Sequence, residues 1–410
     1  MSFIFKKTAR TWSLKKSFHR DDRRRYNMTK KIRIAAVGDI AFLFKPETDI
    51  WKGMWDEADI RIANLEAPIV ENPGPPADKL IRMKQPPDAA TWLKDLNVTA
   101  VSLANNHMLD WGKEGLEQTC EFLDRAMIGH TGAGKNLEEA SKPYIFQVDG
   151  HKIGFISWSS TVPPGFQALN NRPGIASVRV KSSFQVDSSI LDEQPGTPPW
   201  VQTEPVEDDL KLLEESIAFL RKETDFVILA LHWGVPPQWS SLPQDPIAEY
   251  QKVMAERVVD AGVDVILGHH SHAPYGIETY KPNSNVEKEV PVLYSLGNYI
   301  FHPEHSPHGF DQSTFHVPYA PSLLPENIQS CLAELILESE PDSNHLSLKQ
   351  VIMHPAMLDE IGEPVEGTLE QRQKVSERLQ QFSKKRGTET KLVNQTVVLE
   401  VNSTVAPYSK

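Results

Sequence analysis

Residues 263–272 read Val-Asp-Val-Ile-Leu-Gly-His-His-Ser-His, a β-branched apolar run that stops at a glycine and opens into three imidazoles. A run apolar on both faces belongs inside a sheet covered on either side. The same pattern recurs upstream. Residues 32–37 run into Gly38-Asp39, 59–63 into Asn64-Leu65-Glu66, 98–103 into Ala104-Asn105-Asn106-His107 with Asp110 beyond, and 225–231 into His232-Trp233-Gly234. Further apolar runs stand at 152–158 and 291–296, and amphipathic segments at 87–96, 113–126, 207–222 and 246–261 separate them. Strand, helix and strand in alternation give an α/β fold with buried strands covered by helices.

Residues 162–205 break the alternation with proline-rich pieces such as Thr197-Pro198-Pro199-Trp200, which is loop chemistry and reads as an insertion over one face. Strand-like runs follow at 331–337 and 345–353, then a charged amphipathic helix over 369–385 and a polar tail. The expected organisation is a basic head over 1–30, one domain over 31–360 carrying the insertion, and a C-terminal helix and tail over 361–410.

Composition excludes several classes. The chain has 410 residues and a net charge of −12, but residues 1–30 carry about +8, leaving the body near −20. A nucleic-acid partner needs a concentrated basic surface and is not expected. The head, poor in acids, reads either as a mitochondrial-type targeting segment or as a disordered extension before Met28; the expected location is cytoplasmic or, through the head, mitochondrial. With only Cys120 and Cys331 there is no disulfide framework, and thiolate metal sites are excluded. No apolar run reaches the length of a membrane span.

Open α/β sheets bind their ligands outside the carboxyl ends of the strands, which is where the polar residues collect. Singly they are weak signals. Asp39 suits a turn or cap, Asn106 and His107 could cap the following helix, and His232 could be a satisfied core histidine. The Gly-His-His-Ser-His run is stronger, since alternation in extended backbone puts His270 and His272 on one side. Together, carboxylates, amide oxygens and imidazoles without a thiol suit Zn, Mn or Fe, and two such ions could generate hydroxide and polarise a phosphoryl or carbonyl oxygen. A hydrolytic dinuclear centre is the expectation.

Seven blocks then carry a resemblance: VGDIAF (37–42), IANLEAPI (62–69), SLANNHMLDWG (102–112), GAGKNLEEA (132–140), LALHWG (229–234), VILGHHSHAPYGIE (265–278) and YSLGNYIF (294–301). In this order they resemble the bacterial capsule-synthesis, or poly-γ-glutamate biosynthesis, family of CapA type, a branch of the calcineurin-like metallophosphatase superfamily. The resemblance implies a four-layer double β-sandwich flanked by helices and a site with two divalent ions. It implies Asp39 and His272 as first-metal ligands, Glu66 or Asn64 as the bridge, Asn106 as the amide ligand, and His232 and His270 on the second metal. His107 would protonate the leaving group, oriented by Asp110.

Asn105 and Asn298 are read as substrate contacts, with Asn298 alternatively holding a ligand histidine or making a plain turn. His302, His305, His308 and His316 read as a rim loop rather than a third metal site, because Pro303, Pro307 and Gly309 oppose a rigid cage. Two departures from the wider superfamily stand out: Ala41 replaces the histidine of Asp-x-His, and Asn-Leu-Glu replaces an aspartate block. The expected function is metal-dependent hydrolysis of an anionic small molecule or polymer, with a biosynthetic enzyme as partner. The alternatives are a non-catalytic binding protein for an anionic polymer or a synthetase, and a γ-glutamyl amide hydrolase.

Overall fold

In the strand Lys30–Ala41 the side chains of Ile32, Ile34 and Ala36 turn to one face and those of Ala35 and Val37 to the other, and all are buried. A side-chain period of two with both faces apolar requires cover on both sides. The computed structural model, which describes residues 30–79, 81–237, 245–284, 287–302, 328–339 and 345–402, supplies that cover. The basic head up to residue 29 and His305, His308 and His316 lie outside the described residues.

Lys30–Ala41 sits within a sheet ordered Lys391–Val393, Thr396–Glu400, Leu346–Leu358, Gln329–Ser339, Lys30–Ala41, Ile60–Leu65, Ala100–Ser102 and Gly129–Thr131. Its last four strands are parallel to one another. The second sheet runs Ile277–Tyr280, Val290–Leu293, Val265–His269, Phe226–His232, His151–Ser159 and Tyr144–Val148, with a parallel centre. Ile32, Ile34 and Ile62 of the first sheet share one apolar cluster with Phe155, Ile228 and Leu267 of the second, so the sheets pack face to face. Behind the first sheet lie Trp55, Leu93 and Leu116 from the helices Lys52–Glu57, Ala89–Asp95 and Gly112–Ala126. Behind the second lie Leu213, Ile217, Met254 and Val258 from Glu207–Glu223 and Glu249–Ala261. Each such buried Leu or Ile contributes roughly 1.5 to 3 kcal/mol of transfer energy. The result is the helix, sheet, sheet, helix layering that the resemblance implied.

Both parallel sets present their carboxyl ends to the same edge. There the backbone packs too closely for side chains. A Cβ on Gly38 would lie 1.8 Å from the Gly297 carbonyl oxygen, and one on Gly268 would lie 2.0 Å from that of Tyr294. Glycine is what lets these strands close beside Asp39 and His269. The strand Asn298–Phe301 pairs in parallel with the end of Lys30–Ala41 and sets Asn298 opposite Asp39. Among the described residues no helix is long and apolar enough to cross a membrane.

Two regions differ from the sequence expectation. Within 162–205, Val180–Gln185 and Trp200–Pro205 form an antiparallel ribbon around the short helix Ser188–Glu193. The prolines hid it, and its side chains are largely exposed, so no buried pattern marked it. The segment read as a polar tail folds as the hairpin of Lys391–Val393 and Thr396–Glu400 on the edge of the first sheet. The helix Leu369–Lys385, begun by a capping box between Thr368 and Gln371, inserts Val375 and Leu379 into the cluster between the sheets.

Candidate functional site

Asp39, the last polar residue of its strand, is fully buried. Its Oδ1 accepts from Asn64 Nδ2 at 2.9 Å and its Oδ2 from the His270 backbone N–H at 3.3 Å. His269 Nδ1 stands 3.4 Å from Oδ1 and His272 Nδ1 3.5 Å from Oδ2, so this one carboxylate joins the two sheets. Glu66 follows the neighbouring strand, its backbone N–H bonded to the Ile40 carbonyl at 3.0 Å. Both its carboxylate oxygens are buried and make no hydrogen bond, yet Oε1 lies 3.7 Å from His232 Nε2 and 3.9 Å from His272 Nε2. His232 Nε2 stands 2.8 Å from Asn106 Oδ1, and the His232 and His270 ring centroids are 4.8 Å apart. One donor atom from each of Glu66, His270 and His272 falls within 4.8 Å of the others.

His270 and His272 do converge, but not through extended backbone. Their φ angles are 90° and 56°, a left-handed turn that costs of order 1 to 3 kcal/mol per residue and is kept only where surrounding structure enforces it. His272 Nδ1 is within 2.8 Å of Asn298 Oδ1, which orients the ring and leaves Nε2 towards Glu66. Asn298 therefore takes the role of holding a histidine. Asn105 is spent on the protein as well: it donates to the Leu65 carbonyl at 2.8 Å and accepts from the His107 N–H at 3.0 Å, bracing the turn.

That turn carries His107, whose Nδ1 is 2.7 Å from Asp110 Oδ2. Asp110 also accepts from the Met83 N–H at 2.7 Å and from Lys79 Nζ at 2.7 Å. Sequence reasoning missed Lys79 and the pairing of His269 with Asp39. Lys79 sits in a proline-interrupted loop without periodicity, and its acidic partner lies 31 residues away. His269 was visible in the histidine run, but alternation assigned its neighbours, not it, to the site.

The electrostatics follow from burial. Burial would raise the Asp39 carboxyl, but His269 beside it, with His232 and His272, outweighs this and holds the group well below the usual carboxylate range. Glu66 moves the other way, pushed well above its ordinary value by burial and then by the Asp39 charge. Burial and the adjacent His270 drive His232 well below the usual imidazole value, and burial with His272 pushes His270 down to about 3. Burial also lowers His107, against the opposing pull of Asp110. The His232, His270 and His107 imidazoles are thus held towards the neutral form, the form that ligates metals.

The donors fit a cation. Ligands about 2.1 Å from a tetrahedral ion are roughly 3.4 Å apart, close to the 3.7 and 3.9 Å seen around Glu66 and too long for hydrogen bonds. The unbonded buried atoms include Glu66 Oε1 and Oε2, Asn64 Oδ1, His270 Nδ1 and both ring nitrogens of His269. Two carboxyls buried side by side ionise together only with a cation between them.

Comparison with known proteins places this site in a family context. Residues 24–303 match the family described as bacterial capsule synthesis protein PGA_cap, a range that holds every site residue above. The PGA biosynthesis protein CapA of Bacillus subtilis is 29% identical over 246 residues, 60% of this chain and 53% of that protein. A probable polyglutamine synthesis accessory protein of Mycobacterium tuberculosis is 29% identical over 270 residues, 61% of this chain and 60% of that protein. The match thus spans a little over half the length of these relatives. Among solved structures, a novel phosphatase of Mycoplasma pneumoniae aligns with 78% of this chain and 92% of its own at 12% identity and a TM-score of 0.41.

Proposed function

Because the chain belongs to the bacterial capsule synthesis protein PGA_cap family, we propose that it is a metal-dependent hydrolase acting on an anionic substrate at the Glu66 cluster. The observation that carries this reading is the Glu66 carboxylate, buried without a hydrogen bond and facing the Nε2 atoms of two histidines. Evolution rarely keeps such an orphan without a use, since each unsatisfied buried acceptor costs about 1 to 3 kcal/mol. Glu66, His232, His270, His272 and Asn106 would hold the metal, with Asp39 completing a second position. Bound divalent ions, Mn, Zn or Fe by this oxygen and nitrogen donor set, would supply Lewis acidity and an activated water.

The chain's own residues supply the rest. Asn298 fixes the His272 ring, and the Asp39 carboxylate holds the His270 backbone in its left-handed turn. Asp110 accepts a hydrogen bond from His107 Nδ1–H, which leaves Nε2 as the atom that takes up or delivers a proton. The resting ring is neutral, so a proton it passes to a leaving group is one it has first taken up.

Three variants separate binding from turnover. His270→Ala and His232→Ala are expected to lose metal, measured as bound Mn or Zn per chain after loading and desalting. His107→Ala keeps metal and loses about 10²- to 10⁴-fold in rate on whichever phosphomonoester, phosphodiester or γ-glutamyl amide the wild type turns over. Wild-type protein holding less than about 0.1 equivalent after loading would defeat the reading. Ala41, standing where the superfamily pattern has a histidine, favours a second reading, a non-catalytic protein that holds an anionic polymer or a partner synthetase. Turnover abolished by His107→Ala excludes it.

A further inference from the structure

The hydrogen-bonded chain behind His107 ends on Lys79. Asp110 is fully buried, and a carboxylate in that position needs its charge answered. The Met83 N–H and His107 Nδ1 both reach Oδ2, while Lys79 Nζ alone brings a cation, 2.7 Å from Oδ1. The same ammonium donates to the backbone carbonyl of Asn106, whose side-chain Oδ1 faces His232. Nζ also comes within 3.3 Å of His107 Nδ1. Both atoms donate to the Asp110 carboxyl, so the two meet across it and not through a bond of their own. The Lys79 side chain is only 16% exposed, and the Phe166 ring lies 5.3 Å from Nζ, which leaves the ammonium little room to move.

We propose that Lys79 is a positioning residue for His107. By pinning Asp110 and the Asn106 carbonyl with one ammonium, it holds the imidazole in the tautomer protonated at Nδ1 and fixes free Nε2 in register with the Asn106 amide. A cation fits this task better than a neutral donor, because it offsets the buried Asp110 charge while leaving the Nδ1 proton on the ring. A lysine reaches two acceptors on different chain segments because its three N–H donors rotate freely about the end of a long stem. The kinetic consequence rests on the hydrolase reading; the positioning itself is a property of the metal-free protein.

The test is made on full-length protein with ¹⁵N-labelled histidine, in which long-range proton–nitrogen correlation separates the two neutral tautomers and His107→Gln identifies the signal. Wild type is expected to show His107 in the Nδ1-protonated tautomer alone. Lys79→Met is expected to lose that single state. Lys79→Gln, whose shorter amide reaches one of the two acceptors but not both, is expected to show mixed tautomers and serves where methionine does not fold. With Mn loaded, Lys79→Met keeps the wild-type metal content and KM while kcat falls about 10- to 100-fold. In an Asp110→Asn background the same change is expected to cost less than it does in wild type, because the two residues act on His107 together, and fully additive losses would contradict the proposal. An unchanged His107 signal in both Lys79 variants overturns the proposal whatever the turnover. Absence of turnover in wild type removes the hydrolase reading and leaves the tautomer measurement to decide this one.

Discussion

Glu66 concentrates the site's tension in two oxygen atoms that are buried, unbonded and repelled by Asp39. Replacing it with glutamine gives the pocket a donor for Asp39 and removes a buried acid. Metal-free Glu66→Gln should therefore be more stable than metal-free wild type by about 1 kcal/mol, a rise of roughly 2 °C in Tm. The same variant should gain no stability from added Mn, whereas wild type should gain about 2.7 kcal/mol at 100 times its Kd. Thermal unfolding with and without metal checks both, and equal metal-induced shifts in the two proteins would contradict the assignment. At this scale the sequence was readable where residues sit at strand ends, as with Asp39, Glu66 and His232. It was silent on Lys79, whose importance comes from a contact made only when distant loops fold together.

Among the elements, Asp264 ties three segments together. It opens the strand Val265–His269 and accepts from Arg221 of the helix Glu207–Glu223, from Lys288 at 2.6 Å and from the Val227 N–H at 2.7 Å. Burial would raise its carboxyl, but Arg221 and Lys288 outweigh burial and hold the folded pKa below the ordinary value. A lowered carboxylate stabilises fully above the unfolded pKa, about 3.9, and loses that stability as pH falls towards the folded value. Asp264→Asn should cost about 2 to 4 kcal/mol at pH 7 and less below pH 4, because the wild type itself surrenders the interaction there. Urea midpoints across pH 3 to 7 test this, and a pH-independent difference would refute it. Gly38→Ala should cost at least about 2 kcal/mol and disturb Asp39, since its Cβ would meet the Gly297 carbonyl. Gly53→Ala, with open space around it in the helix Lys52–Glu57, should be neutral or stabilising by up to about 1 kcal/mol. Buried central strands such as Phe226–His232 were legible because every residue is apolar or site-forming. Edge pieces such as Tyr144–Val148 and Lys391–Val393 were not, since half-exposed strands of three to five residues carry too little pattern to separate from loops.

The whole molecule is acidic, with a body near −20, and this would repel an anionic polymer or phosphoester. Divalent ions held at the strand ends, as proposed, would reverse the local field and so reconcile the composition with the proposed substrate class. The candidate site draws on both sheets, since Asp39, Glu66 and Asn106 lie at strand ends of one and His232, His270 and His272 at strand ends of the other. That convergence was legible as a series of strand ends, whereas the distances among the donors needed the folded chain. The most direct test is anomalous diffraction from crystals of Mn-loaded protein. A Mn peak is expected about 2.0 to 2.3 Å from Glu66 and the imidazoles of His232, His270 or His272. A fully loaded crystal with no peak among these residues, or with its peak elsewhere, would contradict it.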